Sequence, residues 1–285
     1  MARFALGAPR SVSPNSASNP TDVVRIAFLP FAIVLLFLTV KSARAQTSAT
    51  NVVRDGAAIS LLQSSVSAMG GTNNWASVVD WTITGSVSMS ASAQASKTFS
   101  WKGAGREFRL EVDDSTSTSV FLSGHGTPAR ISNGTSTAIN YHVARASLPF
   151  YLPAYVLQRE LNNSQLTLRY VGAATTNGRS ALQVHVSDDS DAVGSLVTPH
   201  DWYFDPTSFL PLRVEFRLPA NENAADYVKG AFDFAQFQPI AGLLVPFQVV
   251  LSRDYPPAKA FAVASVVFNS GLPVSVFDPS NGGNQ

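Results

Sequence analysis

The four histidines are the first place to look for chemistry, and they do not converge. His125, His142, His185 and His200 fall in four separate segments, with neither an HExxH pattern nor any comparable ligand spacing. His185 stands on the polar side of an alternating run and His200 opens another, so both read as surface residues. No Gly-x-Ser-x-Gly pentapeptide supplies a nucleophile elbow. The chain has no cysteine, which excludes thiolate nucleophiles, thiolate metal sites, disulfides and an N-terminal lipid anchor. The acidic turn Asp188, Asp189, Asp191 offers oxygen atoms to calcium, but the further ligands and distal Glu of an EF-hand are missing. It reads as a solvated hairpin. Gly103-Ala104-Gly105 lacks the strand–GxxxxGK–helix setting that cradles phosphate. Glycosidase-type carboxylate pairs have many possible members, and no spacing singles one out. The expectation is a non-enzyme, with no catalytic residue, no metal and no cofactor.

Composition narrows the partners. Hydrophobic residues make up 45% of the 285 and charged residues 14%, against roughly 25% charged in an average soluble domain. Ser, Thr, Asn and Ala take their place, which gives the polar, weakly charged surface of an envelope or secreted protein. The net charge of +1 hides an asymmetry: residues 1–45 hold Arg3, Arg10, Arg25, Lys41 and Arg44 against one acid, Asp22. The rest has 15 basic and 18 acidic residues, net −3. A mildly acidic domain lacks the basic footprint of a nucleic-acid binder, and that partner is set aside.

Ile26–Val40 reads IAFLPFAIVLLFLTV between Arg25 and Lys41, and Ala43-Arg44-Ala45 follows. A basic flank, an apolar run and small residues before the cut make a cleavable secretory signal, with cleavage after Ala45 and Gln46 first in the mature chain. The run is shorter than the about 20 residues that span a bilayer, and it contains Pro30. Residues 1–21 are polar and too long for an ordinary n-region, as expected if translation starts at Val23 or Val24. The predicted organisation is a signal segment with an atypical extension (1–45) and one exported domain (46–285). Its expected location is the periplasm, with the extracellular space as the alternative.

The elements that would position a site are mostly strands. Val52 to Met69 reads as an amphipathic helix, with Ile59, Leu62, Val66 and Met69 on one face and Gly70-Gly71 as its stop. Beyond it, apolar and polar residues alternate strictly. Trp81, Ile83, Val87 and Met89 face one way in the first run. Phe108, Leu110 and Val112 do so in the next, then Leu182, Val184 and Val186, then Leu212, Val214, Phe216 and Leu218. Such alternation marks strands with one buried and one wet face. Leu243–Leu251 and Phe261–Phe268 are apolar on both sides and read as more buried strands. Short Gly, Asn and Pro turns separate about ten or eleven strands, which predicts a sandwich or barrel rather than βαβ units. One insertion breaks the pattern: Leu148–Leu157 is aromatic, Pro-interrupted and uncharged, and leads into Gln158–Leu161. It reads as a short helix or lid packed on something apolar, or as a plug of the core.

From Leu166 to Phe277 the segments resemble a known superfamily. Tyr170-Val171-Gly172 and Asn177–Val184 come first. Trp202-Tyr203-Phe204-Asp205-Pro206, Leu210-Pro211-Leu212, Phe232-Asp233-Phe234 and Gly242-Leu243-Leu244-Val245-Pro246-Phe247 follow. The "strand, Asp-Pro-x-x-x-Leu-Pro, strand" hairpin resembles that of the periplasmic lipoprotein-carrier superfamily, the LolA-like, LolB, RseB and LppX group. An N-terminal helix ending in Gly-Gly before the first strand fits as well. The resemblance implies a mainly β chain whose curved antiparallel sheet forms an incomplete, half-open β-barrel. An N-terminal helix and a short lid-like helix would lie on its concave side. It also implies a concave apolar face able to hold acyl chains; no lipoprotein-handling residue is matched.

The functional expectation is a periplasmic binder of a lipid or other hydrophobic ligand. The candidate lining is Trp81, Ile83, Phe108, Leu110, Leu182, Val184, Trp202, Phe204, Val214 and Phe216, with Phe150, Tyr151 and Tyr155 on the lid. Each of these also reads as plain core. Burial at about 0.8 kcal/mol per CH₂ lets one long acyl chain contribute on the order of 10 kcal/mol before ordering costs. The alternative is a module of the same fold that senses envelope stress by binding a protein partner.

Overall fold

The computed structural model describes residues 52–89, 97–114, 117–123, 128–146, 149–220, 223–254 and 258–279. The expected signal segment, its cleavage point, His125 and Leu148 lie outside these residues. Among the described residues, no helix is long and apolar enough to cross a membrane.

Among the described residues, thirteen strands form one antiparallel sheet. They are β1 (Asp80–Met89), β2 (Lys97–Ala104), β3 (Glu107–Asp114), β4 (Ser117–Ser123), β5 (Ala129–Ser132) and β6 (Thr135–Ala138), then β7 (Thr167–Thr176), β8 (Arg179–Ser187) and β9 (His200–Phe204). β10 (Pro211–Pro219), β11 (Tyr227–Ile240), β12 (Leu243–Arg253) and β13 (Lys259–Phe268) complete it. The helices are α1 (Gly56–Ala68), α2 (Thr72–Ala76), α3 (Tyr141–Ala146), α4 (Pro153–Asn162) and α5 (Gly194–Val197). The spatial order explains the architecture. The chain enters mid-sheet at β1, steps outward to the edge at β6, crosses over through α3 and α4, and re-enters at the opposite edge, β7. It then walks back until β13 closes on β1. β6 and β7 do not pair, so the curved sheet stays open, as the half-barrel expectation requires. A two-sheet sandwich is excluded.

Alternation becomes packing through register. Val214 stands opposite Trp202 and Phe232, and Trp202 opposite Val184. The other half repeats this with Ile83, Trp101, Leu110 and Phe121 in one row. Both rows face the helices and join one core. The opposite face carries Arg213, Glu215 and Asp233, paired with one another. Register shifts at Thr84/Gly85, Pro211/Arg213 and Tyr170/Gly172 bend the sheet, since an extra residue on one strand increases local twist. Pro246 pairs with Phe237 of β11. β12 pairs with β13 only from Gln248 onward, so Pro246 has no β13 partner to miss its N–H.

α1 starts later than its apolar spacing predicts. Val53–Asp55 runs beside β7 instead: Leu168 N–H donates to Val53 O at 2.7 Å and Asp55 N–H to Leu168 O at 2.9 Å. At the other end Gly71 N–H donates to Val66 O at 2.9 Å, the six-to-one bond of a Schellman stop. Gly70 has φ 118°, and a Cβ there would sit 2.7 Å from Gly242 O, so the Gly-Gly stop also serves close packing.

Three expectations change. The sheet has more strands than the ten or eleven counted, because β6 is polar and exposed along its whole length and carries no apolar signal. β13 is not doubly buried: Phe261 and Val266 are buried while Ala262, Ala264 and Val267 are exposed, since no second layer covers its outer face. The acidic turn is not a bare solvated hairpin. Arg145 on α3 reaches Asp188 at 2.9 Å and Asp191 at 2.8 Å, which ties the crossover to the β8–β9 connection.

Candidate functional site

The crossover between the two sheet edges builds the site. Polar β6 gives way to α3, then to the Pro149–Leu152 turn, closed by Leu152 N–H donating to Pro149 O at 3.0 Å. Pro153 starts α4, where a fixed φ and a missing N–H suit a first helical turn. Arg54 holds the far end of α4, donating to the carbonyls of Leu161 at 2.8 Å and Asn163 at 2.7 Å. A cation on C-terminal carbonyls satisfies groups the helix leaves open.

Aromatic side chains fix the crossover to the inner face. Tyr151 stacks on Trp101 with centroids 3.9 Å apart and meets Trp81 edge-on at 5.2 Å. Phe150 stacks on Phe216 at 5.1 Å and lies edge-on to Trp202. Tyr155 donates from its hydroxyl to Gly105 O at 2.9 Å. Deeper in, Glu160 receives His200 Nε2 at 2.8 Å on one oxygen and the Trp202 indole N–H at 3.1 Å on the other. His200 Nδ1 faces Thr198 O at 2.8 Å, so that nitrogen carries a hydrogen. Burial pulls the His200 pKa down, but Glu160 and the Thr198 carbonyl outweigh it and hold it above the ordinary imidazole value. The surface reading of His200 is therefore wrong: it is 3% exposed, held inside by a carboxylate forty residues earlier in the chain.

Between the crossover and the sheet lies a cavity of about 80 Å³. Of the expected positions, Phe108, Leu110 and Phe216 line it, with Phe150 and Tyr151 from the lid. Trp81, Ile83, Val184, Trp202, Phe204 and Val214 are fully buried in the core on the same face without reaching it. Leu182 packs half-buried against that core, and Tyr155 is buried beside Trp81. Sequence reasoning missed Trp101, Phe121, Ala146, Leu218, Phe232, Leu251, Arg253 and Phe261 in the wall. Leu218 continued an alternation already visible, and Trp101 alternates with Phe99 just before the turn at Gly105. Arg253 had no signal, because only the β11–β12 register turns it to the inner face.

Polar groups in this wall are few. Tyr151 Oη and Trp101 Nε1 are buried with no hydrogen-bond partner. Burial, then the neighbouring Tyr155, pushes the Tyr151 hydroxyl well above the ordinary phenol value. A larger groove of about 450 Å³ involves the polar face, with His185, Asp201, Arg213 and Glu215 in it. Several of its charges are paired: His185 Nδ1 lies 3.1 Å from Asp201, and Arg213 pairs with Glu215 and Asp233. Ser252, also in this groove, lies three strands from Asp201 along the row through Glu215 and Ala231. At about 4.8 Å per strand that is roughly 14 Å, so His185, Asp201 and Ser252 form no triad. No group of three or more metal-ligating side chains occurs among the described residues.

No protein-family model and no curated protein sequence matches the chain. Solved structures do. A LolA superfamily protein from Nitrosomonas europaea superposes with a TM-score of 0.51 at 8% identity, covering 78% of this chain and 97% of that one. A domain named for outer-membrane lipoprotein sorting, from Vibrio parahaemolyticus, gives 0.49 at 12% identity, covering 77% and 95%. A DUF1329 family protein from Desulfovibrio piger gives 0.47 at 11%, covering 78% and 96%. At these identities the likeness is one of architecture, and the first structure carries it: the chain has the LolA-like fold.

Proposed function

We propose that this chain is an exported periplasmic protein that binds a lipid or other hydrophobic ligand between the α3–α4 crossover and the inner face of the sheet, without catalysis. The observation that carries this reading is the aromatic-walled cavity beneath a crossover tied to the sheet at both ends. The cavity is small beside the roughly 300–1,000 Å³ of ordinary ligand sites, so an acyl chain enters by displacing Phe150 and Tyr151. The lid residues thus act as a plug in the closed form and as wall in the loaded one. The apolar run at residues 26–40 and the Ala43-Arg44-Ala45 site support export.

Tryptophan quenching by a brominated fatty acid tests it. Trp101 stands in the wall and Trp75 does not. Saturable quenching that falls sharply in Trp101→Phe is the expected result, and no saturable quenching would contradict the reading.

One observation favours a second reading, an envelope protein partner. Val53–Asp55 covers the edge strand β7 only as far as Tyr170, whose N–H donates to Asp55 Oδ2 at 3.0 Å. Tyr170 and Val171 are exposed there, and the remainder of such an edge is a template for an added strand.

A further inference from the structure

We infer that the cavity takes an anionic amphiphile, its acyl chain among the aromatic rings and its carboxylate or phosphate head on Arg253, Lys259 and Arg130. This rests on the hydrophobic-ligand reading above and narrows it to one ligand class.

Register brings the three cations to the inner face. Arg253 stands opposite Gly230, in the row that continues to Phe216, and forms part of the cavity wall. Lys259 stands opposite Leu251, another wall residue. Arg130 stands opposite Phe121, at the end of the row that holds Trp101 and Leu110. Arg253 and Lys259 are diagonal neighbours across β12 and β13, since Lys259 pairs with Leu251 two residues before Arg253, a separation of roughly 7–8 Å. Arg253 and Arg130 are exposed at the rim and Lys259 is half-buried. Partial desolvation and then Arg130 lower the Arg253 pKa, and partial desolvation, then Arg253 with Lys97 and Arg130, holds Lys259 below the ordinary lysine value. Among the described residues no carboxylate forms an ion pair with any of the three, whereas Arg109, Arg145, Arg179 and Arg213 each have one. Like charges gathered without a counter-ion are mutually destabilising, and an anion relieves that.

Hydrogen-bond chemistry points the same way. Arg253 and the Trp101 indole only donate, and the Tyr151 hydroxyl is free to donate. The wall therefore suits a ligand that brings acceptors: a carboxylate, a phosphate ester or an acyl carbonyl. A guanidinium also grips such heads in a bidentate fork.

The test compares a pyrene-labelled fatty acid with its methyl ester, which share a chain and differ in head charge, on the purified full chain and on Arg253→Gln/Lys259→Gln. The acid should bind the unaltered chain about tenfold more tightly than the ester, the scale of a charge-assisted hydrogen bond. The double variant should lose that preference and bind acid and ester alike. Arg253→Gln alone should lose part of it, which serves if the double variant folds poorly. Equal binding of acid and ester overturns this inference and leaves the hydrophobic-ligand reading standing. Binding of neither overturns both. Inorganic phosphate held as tightly as the acid would make the rim a free-anion site and likewise overturn the inference.

Discussion

Tyr151 lies on Trp101 with the two rings 16° from parallel and their centroids 3.9 Å apart, joining the crossover to the sheet at the cavity wall. The stack is apolar in its contacts, yet the Tyr151 hydroxyl is buried without a partner. A buried unpaired hydroxyl costs about 1–3 kcal/mol. Tyr151→Phe should therefore raise the stability of ligand-free protein by about 1 kcal/mol in urea unfolding. Tyr151→Ala should lower it by about 3 kcal/mol through lost contacts and added cavity. A destabilised Tyr151→Phe would show that the hydroxyl is satisfied in the free protein.

The Glu160–His200 pair should make the fold sensitive to alkaline pH. The His200 pKa is raised above 6.5 in the folded chain, so the folded state keeps a proton that the unfolded state releases. Stability from this source is complete below 6.5 and is lost as pH rises through the raised value. Melting temperature should fall over that window and fall less steeply in Glu160→Gln. That variant should also lose about 3–5 kcal/mol, because a buried charge loses its partner. An unchanged slope would place the titration elsewhere.

Asp80 should govern the acid side. Burial pushes its carboxyl up, but bonds from Ser270 Oγ and the Ser270, Gly271 and Leu272 amides outweigh burial and hold it below 3.8. The depressed value stabilises the fold above 3.8, and that contribution is lost as pH falls through the folded pKa. Asp80→Ala should leave these donors without their acceptor and cost about 1–3 kcal/mol. Proteolysis beyond Phe268 should speed up, as mapped by mass spectrometry of the fragments. Equal cleavage rates would show that the segment is held by other contacts.

Gly103 tests the inner packing. A Cβ there would collide with the Trp81 indole, so Gly103→Ala should cost about 1–3 kcal/mol by overpacking. It should also shift the Trp81 environment, read from near-ultraviolet circular dichroism. A neutral outcome would mean that the indole moves freely.

Much of this architecture was legible in residue order because period two is local. Leu212–Leu218 announces which side faces inward without reference to any other strand. What depends on distant partners was not legible. His200 opens a strand like any surface residue until Glu160 arrives from α4. Arg253 looks like the polar end of an apolar run until register sets it opposite Gly230. β6 has no apolar residue pattern at all, and only pairing with β5 makes it a strand. Alternation alone does not separate depth on one face: Trp202 and Val214 share that face with Phe216, but only Phe216 of the three reaches the cavity.

The most direct measurement is the detergent-free native mass spectrum of the protein expressed into a bacterial periplasm. The expected result is an added mass that disappears on organic extraction and matches an acyl lipid. A bare polypeptide mass that stays bare after incubation with lipid vesicles would contradict the hydrophobic-ligand account and shift attention to the open β7 edge.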